Sequence, residues 1–313
     1  MAPVVKNTKN GTVSYSQEDV LGDGSTGTVY EGMYTGFGRV AVKVAVKVAK
    51  RDKKTGKLLS LNADIQGGFH AKKCLGNNAV GIIDSTEDST VVVLEYCEKG
   101  TLCDKIEHDG KDFSKKQFIS FLSFLIAVLT CMEGKIVHGD IKPENILVAG
   151  ESVAGESVAG ESGYKLCDFS HTVLDDMNWI FGSPYCYWPG LVQEEKIYRK
   201  SSVDACAALV TVLFVIYSKF AEEDDSPFFD TIFTNKESAG GKIVSIINVQ
   251  NAQKLITDLK MPKRCTEFAF LVVDMINTYH CGTVEQQQAG AHQVVELFKN
   301  FIELLSQSKR RKV

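Results

Sequence analysis

The run His138-Gly139-Asp140-Ile141-Lys142-Pro143-Glu144-Asn145 sets an amine two residues and an amide five residues after a carboxylate. Moving a phosphoryl group from a nucleoside triphosphate asks for little else: a carboxylate at the acceptor hydroxyl, a cation beside the migrating group and an oxygen ligand for a metal ion, all held in place. Asp140, Lys142 and Asn145 suit those three tasks. The same residue types also build ordinary polar turns, so the eight residues carry weight only in company.

That company is present and in order. Upstream, Gly22-Asp-Gly24-Ser-Thr-Gly27-Thr-Val29 has side-chain-free positions where backbone N–H groups could approach phosphate oxygens, although a plain hairpin turn would read the same way. Fourteen residues after Val29, Val40-Ala41-Val42-Lys43 offers a strand lysine, and the unit recurs at once as Val44-Ala45-Val46-Lys47. A four-residue duplication keeps the two-residue period of a strand, so both lysines point to one face. The distance from the glycines favours Lys43 and leaves Lys47 open. Downstream stands Cys167-Asp168-Phe169-Ser170.

Together these motifs resemble the eukaryotic protein-kinase family, from about Val20 to about Leu305. The resemblance implies an α+β, bilobal protein-kinase-like fold, with a small β-rich N-lobe carrying one helix and a large, mainly α-helical C-lobe. It implies a kinase domain over 17–305, divided between 97 and 98, with a basic tail over 306–313. By the same resemblance Asp140, Lys142 and Lys43 are catalytic, and Asn145 and Asp168 hold Mg²⁺. Gly22, Gly24, Gly27, Val29, Ala41, Lys43, Leu94, Glu95, Cys97 and Leu147 would surround ATP, with Leu94 as gatekeeper and Val91 to Cys97 as the link between lobes. Lys142, together with Ser183-Pro184-Tyr185, resembles the serine/threonine branch, so the expected partner is a protein substrate with a Ser or Thr acceptor, with room for a regulatory partner.

Composition sets bounds on this reading. At 313 residues and 44% hydrophobic content the chain can bury one large core or two lobes sharing a cleft. A net charge of -4 supplies no basic field for nucleic acid. Nine cysteines without CxxC or zinc spacing, three of them (Cys131, Cys167, Cys206) in apolar runs, fit a reducing compartment. The longest apolar run, Ala205 to Tyr217, is short for a bilayer span, and the first twenty residues show no signal-peptide core. The expectation is therefore a cytoplasmic or nuclear protein without a membrane partner. Lys309-Arg-Arg-Lys312 reads either as an import signal or as a solvated helix end.

The elements that must position the motifs follow from periodicity. β-Branched segments at Gly27–Tyr30, Arg39–Ala49, Val80–Asp84 and Thr90–Tyr96 predict a small sheet, and helical patterns follow Cys97. Ser114 with Gln117 predicts a capping box before a buried helix through Met132. Ala205 to Tyr217 predicts a central helix, and Val294, Leu297, Phe301 and Leu304 predict one face of a terminal helix. The pentad Ala149-Gly-Glu-Ser-Val153 repeats from Ala154 and begins again at Ala159. It reads as a hairpin expansion outside the site, with a closure cost that grows only logarithmically with length.

Several positions depart from the family pattern. No glutamate occurs between Glu31 and Glu87, so the helix partner of the strand lysine falls to Asp64 through a shifted helix or, at the aligned position, to Gln66. Gly67-Gly68 weaken that helix by about 1 kcal/mol each relative to alanine. Gly139 replaces the usual arginine, which implies activity independent of activation-segment phosphorylation; similar His-Gly-Asp loops occur in the spindle-checkpoint Bub and vaccinia-related kinase families. Ser170 replaces a glycine, and Trp188-Pro189-Gly190 replaces Ala-Pro-Glu, while no arginine between Arg264 and Arg310 is left to pair with the lost glutamate. Asp204 would anchor the catalytic loop or cap a helix. The acidic run Glu222-Glu-Asp-Asp225 would select basic substrates or simply be an exposed loop. A pseudokinase, binding nucleotide or protein without chemistry, is the alternative reading.

Overall fold

Alternating valines build the small lobe. Val44, Val46 and Val48 turn one way, onto Val13, Tyr15, Tyr34, Val91 and Val93, so residues 43, 45, 47 and 49 of the same strand turn to the opposite face. The structure is a computed structural model and describes residues 2–109, 113–149, 163–174, 201–222, 228–237, 243–281 and 291–307. Its main sheet has six antiparallel strands in the order β1-β2-β3-β4-β6-β5: Val4–Thr8, Gly11–Asp23, Gly27–Gly36, Val42–Ala49, then β6 at Val91–Glu95 and β5 at Ile82–Ser85. The sheet begins at Val4, upstream of residue 17, where the sequence placed the start of the lobe. It also curls on itself. Lys9 N–H donates to the Ser85 carbonyl at 3.0 Å, and Asp84 accepts from Asn10 N–H and the Tyr34 hydroxyl, each at 2.9 Å.

Helix α1, Asn62–Leu75, crosses the face that the lysines share. Leu61 and Ile65 pack there against Ala49 and Val92. Ala71 and Leu75 on the same helix join the core of the large lobe, so α1 is the bridge between lobes.

The large lobe is mainly helical: α2 Leu102–Asp109, α3 Lys115–Met132, α4 Ser201–Phe220, α5 Phe228–Ile232, α6 Val249–Asp258, α7 Lys263–Cys281 and α8 His292–Gln307. Ser114 and Gln117 form the expected capping box: each side chain accepts the other's backbone N–H, at 3.2 and 2.7 Å. Helix α4 runs past the expected Ala205–Tyr217 at both ends. Both α3 and α4 are long and apolar enough to cross a membrane by length and composition, and both supply the large-lobe core, α4 more fully. A helix apolar on every face is what a core centre requires. On α8, Val294, Val295, Phe298 and Phe301 are buried, and Leu297 and Leu304 are half-buried, close to the expected face.

Short antiparallel pairs finish the lobe: β7 Ile136–Val137 with β10 Val173–Leu174, β8 Ile146–Val148 with β9 Tyr164–Leu166, and β11 Phe233–Glu237 with β12 Ile243–Ile247. Val148 pairs with Tyr164, and Ala149 N–H donates to Gly163 O at 2.9 Å. The pentad repeats therefore fall between two paired strands, as a hairpin expansion requires. The pentads themselves (150–162), Ser183-Pro184-Tyr185, Trp188-Pro189-Gly190, Glu223 to Asp225 and Lys309 to Lys312 lie outside the described residues.

Candidate active site

The strand lysine is decided by hairpin register. Gly36-Phe37-Gly38-Arg39 closes a turn, with Arg39 N–H donating to Gly36 O at 3.0 Å and Gly38 at φ 71°, and β3 pairs with β4 outward from it. Val29 then lies across from Lys47, and Lys43 lies across from Met33. Both lysines do share a face, but four residues separate them by about 13 Å along the strand. Only Lys47 reaches the interior: it is 5% exposed, forms a short ion pair with Asp64 on α1 and contacts Asp168 Oδ1 at 2.9 Å. Lys43 instead pairs with half-exposed Glu31 at 3.0 Å and lies over the Tyr96 ring at 4.4 Å from its centroid.

The expectation for Lys43 is therefore corrected, and Ala41 goes with it. Ala41 is exposed before β4 begins, and Ala45 takes the equivalent place two residues before Lys47, opposite Leu94. The duplicated unit moves both positions by four residues.

Asp64 resolves the missing glutamate. It is buried and bonded to Lys47, whereas Gln66 is exposed. An aspartate is one carbon–carbon bond, about 1.5 Å, shorter than glutamate. The helix must sit closer to the strand, and Gly67-Gly68 permit this. A Cβ on Gly67 would stand 2.3 Å from the Phe169 carbonyl oxygen, and one on Gly68 would stand 2.5 Å from Ile82 Cδ1. Residues that look like helix weakness in the sequence are the contact surface on which α1 rests.

Electrostatics bind this group tightly. Burial alone would raise the Asp168 carboxyl, but the charge and hydrogen bond of Lys47 outweigh it and hold the group well below the usual carboxylate range. Burial opposes the charged form of Lys47 too, yet Asp168 and Asp64 together raise its pKa. Asp64, which shares that single cation, is pushed up by its burial. Asp168 also sits at φ 57°, a left-handed conformation that is strained for a residue with a side chain and characteristic of functional sites.

The 138–145 loop is held as firmly. Asp204, in the first turn of α4, accepts backbone N–H bonds from His138 at 2.7 Å and Gly139 at 2.9 Å, the anchoring role among the two considered. Gly139 has φ 81°, where glycine is unstrained, which gives a local reason for its presence. Gly139→Ala should lower stability by about 1 kcal/mol, a drop in melting temperature of roughly 2–4 °C that calorimetry would read. His138 is buried, and burial lowers its pKa. Its Nε2–H donates to Cys167 O at 3.0 Å and its Nδ1 accepts from Asp140 N–H at 3.2 Å, while Phe169 packs edge-on against its ring in the core.

Asn145 Nδ2 donates to Asp140 O at 2.8 Å and Asp140 Oδ2 at 2.9 Å, and Lys142 Nζ lies 2.8 Å from the same Oδ2. Cys167 N–H in turn donates to Asn145 O at 2.9 Å, which ties the Asp168 segment to the loop. Asp140 Oδ1 is buried and has no hydrogen-bond partner among the described residues. A buried acceptor left unmade is costly, so it marks where a donor is to come. With its amide nitrogen committed, Asn145 presents an oxygen, and the Asp168 carboxylate presents another. This small all-oxygen set suits Mg²⁺, which keeps waters and substrate phosphates in its shell.

Gly22 lies at the end of β2 and Gly24 just after it, where the chain turns toward Gly27 at the start of β3, with Gly24 N–H donating to Gly27 O at 2.9 Å. Gly27 lies against the Lys47 strand: a Cβ there would stand 2.7 Å from Val48 O. Leu94 is half-buried at the end of β6, and Leu147 is half-buried on β8, where a bridge from Thr101 ties the inter-lobe link to that strand. Cys97 is half-buried and its thiol is pushed up to about 11 by burial. Glu95 makes a short ion pair with Lys165 on β9 and accepts Gly81 N–H at 3.1 Å, a brace across the back of the link that sequence spacing did not suggest.

Comparison with known proteins decides the family. The protein kinase domain model matches residues 15–295. The chain belongs to the protein kinase family. This kinase domain is 29% identical over 215 residues to serine/threonine-protein kinase TIO of Arabidopsis thaliana, which covers 66% of the chain and 15% of the relative. It is 32% identical over 160 residues to serine/threonine-protein kinase unc-51 of Caenorhabditis elegans, covering 50% and 18%. It is 31% identical over 189 residues to serine/threonine-protein kinase 36 of Mus musculus, covering 58% and 13%. The chain thus spans less than a fifth of the length of each of these three.

Proposed function

We propose that this kinase domain transfers the γ-phosphoryl group of ATP to serine or threonine hydroxyls of protein substrates. The observation that carries the reading is the buried Oδ1 of Asp140, without a partner among the described residues, while its Oδ2 is held by Asn145 and Lys142 and the loop backbone by Asp204. Asp140 receives the acceptor hydroxyl's hydrogen bond and then its proton. Lys142, already bonded to Asp140, sets its cation beside the migrating group. Lys47 grips the nucleotide phosphates, and Asp64 orients it. Asn145 and Asp168 supply the oxygens that hold Mg²⁺, which when bound neutralises phosphate charge. The glycine turn at 22–27 covers the phosphates, and Ala45, Leu94, Glu95, Cys97 and Leu147 frame the base.

The serine/threonine class is supported by Lys142 and by the printed names of the relatives. The pseudokinase reading leaned on the missing helix glutamate and on Ser170; for the first of these Asp64 supplies a helix carboxylate bonded to Lys47. Gly139 supports activity that needs no phosphorylated activation segment. The test is transfer of label from γ-labelled ATP with Mg²⁺ to a basic protein substrate. The wild type should exceed Asp140→Asn by about 10²–10⁴-fold. Equal background from both would favour the non-catalytic reading.

A further inference from the structure

Three of the six residues from Gly22 to Gly27 are glycines, so the turn has few side chains with which to hold itself. It is held from the neighbouring strand instead. Lys50, which follows the last residue of β4, donates its backbone N–H to Thr26 O at 2.9 Å and its ammonium to Gly24 O at 2.7 Å. The same ammonium lies 2.7 Å from Asp23 Oδ1, which also accepts from the Thr28 hydroxyl at 2.6 Å. These bonds, that of Lys50 first, hold the Asp23 carboxyl below its usual value.

These contacts sort the dipoles of the turn. A carbonyl oxygen facing a phosphate repels it, whereas an N–H attracts it. The Gly24, Thr26 and Gly27 carbonyls all accept from donors within the protein, two of them from Lys50, while the Ser25 and Thr26 N–H groups have no acceptor among the described residues. Lys47 lies three residues back along the same chain segment, and a Cβ on Gly27 would stand 3.3 Å from its Cγ. One strand and its extension thus hold both Lys47 and the turn. We propose that Lys50 is a positioning residue of the nucleotide site: through Asp23, Gly24 and Thr26 it commits the carbonyls of the glycine turn to the protein and leaves the amides for the phosphates. The proposal rests on the assignment of this turn to the nucleotide phosphates made above.

A rival role for Lys50 is plain attraction of phosphate by its charge, and the sign of one substitution separates the two. Asp23→Ala frees the ammonium from one of its two anchors, so a positioning role predicts weaker binding of ATP. Attraction by charge alone predicts tighter binding, because a carboxylate near the phosphates is gone. The test is calorimetric titration of the full chain with the β,γ-methylene analogue of ATP and Mg²⁺, and separately with adenosine. Lys50→Met, which keeps the backbone bond to Thr26, should weaken the ATP analogue about three- to tenfold and leave adenosine, which has no phosphates, unchanged. Lys50→Arg should restore most of the loss, since a guanidinium can serve both Gly24 O and Asp23. Asp23→Ala should also weaken the analogue, and the loss in the double variant should fall short of the sum. Unaltered affinity of Lys50→Met for the analogue, equal weakening of adenosine, or tighter binding by Asp23→Ala overturns the proposal. Binding is read without turnover, so a wild type that binds the analogue yet transfers no phosphoryl group to protein sinks the catalytic reading alone, and a wild type that does not bind it sinks both.

Discussion

Lys47→Ala should reduce phosphoryl transfer by about 10²–10³-fold, while Lys43→Ala leaves it within about threefold. The contrast follows from burial and not from motif spelling, because both lysines stand in the same tetrapeptide. Lys47 is enclosed and serves two carboxylates; its loss leaves Asp64 and Asp168 facing each other without a cation. Removing one partner of a buried ion pair destabilises by about 3–5 kcal/mol, so Lys47→Ala should also unfold at lower denaturant. Lys43, with Glu31 and Tyr96, remains in water, where pairing adds little. Turnover and denaturant midpoints measured on both variants decide the matter. A Lys43→Ala enzyme that loses more than Lys47→Ala would contradict the register drawn from the β3–β4 turn.

Restoring the family's usual glutamate should harm this chain. Asp64→Glu adds a methylene to a site closed by Gly67 and Gly68, and overpacking of that kind costs about 1–3 kcal/mol, or roughly a five- to 150-fold loss of turnover if it falls on helix placement. Gly67→Ala should act in the same direction, because its Cβ would collide with the Phe169 carbonyl. The two changes are coupled. In the double variant the alanine moves α1 outward and the glutamate spans the wider gap, so the combined loss should be smaller than the sum. Asp64→Lys cannot be rescued in this way and should abolish turnover. Strict additivity in the double variant, or full activity of Asp64→Lys, would show that α1 is not positioned by this contact.

Much of the machinery was legible because its residues are close in sequence. Asp140, Lys142 and Asn145 lie on one short loop, and the structure joins them through hydrogen bonds that the spacing implies. The capping box at Ser114 and the apolar faces of α3, α4 and α8 are likewise local patterns. What the sequence hid depends on where chains meet. The duplicated Val-Ala-Val-Lys unit offered two lysines, and a count running forward from Val29 favoured Lys43. The count that decides runs outward from the Gly36–Arg39 turn, a signal present in the sequence as Gly-Phe-Gly-Arg. Gly67-Gly68 read as weak helix because propensity is a local quantity, while their use is to admit the Phe169 carbonyl from another part of the chain. The Glu95–Lys165 brace joins residues 70 apart and has no local signature.

One measurement addresses the nucleotide site directly. An acyl phosphate of ATP passes its acyl group to an amine beside the bound phosphates, forming an amide and releasing the nucleotide, and the modified lysine is then read by peptide mass spectrometry. Acylation of Lys47, suppressed by excess ATP with Mg²⁺, is the result expected. Acylation of Lys43 in its place, or labelling of Lys47 that ATP fails to suppress, would contradict the assignment of the buried Lys47–Asp64–Asp168 group to the phosphates.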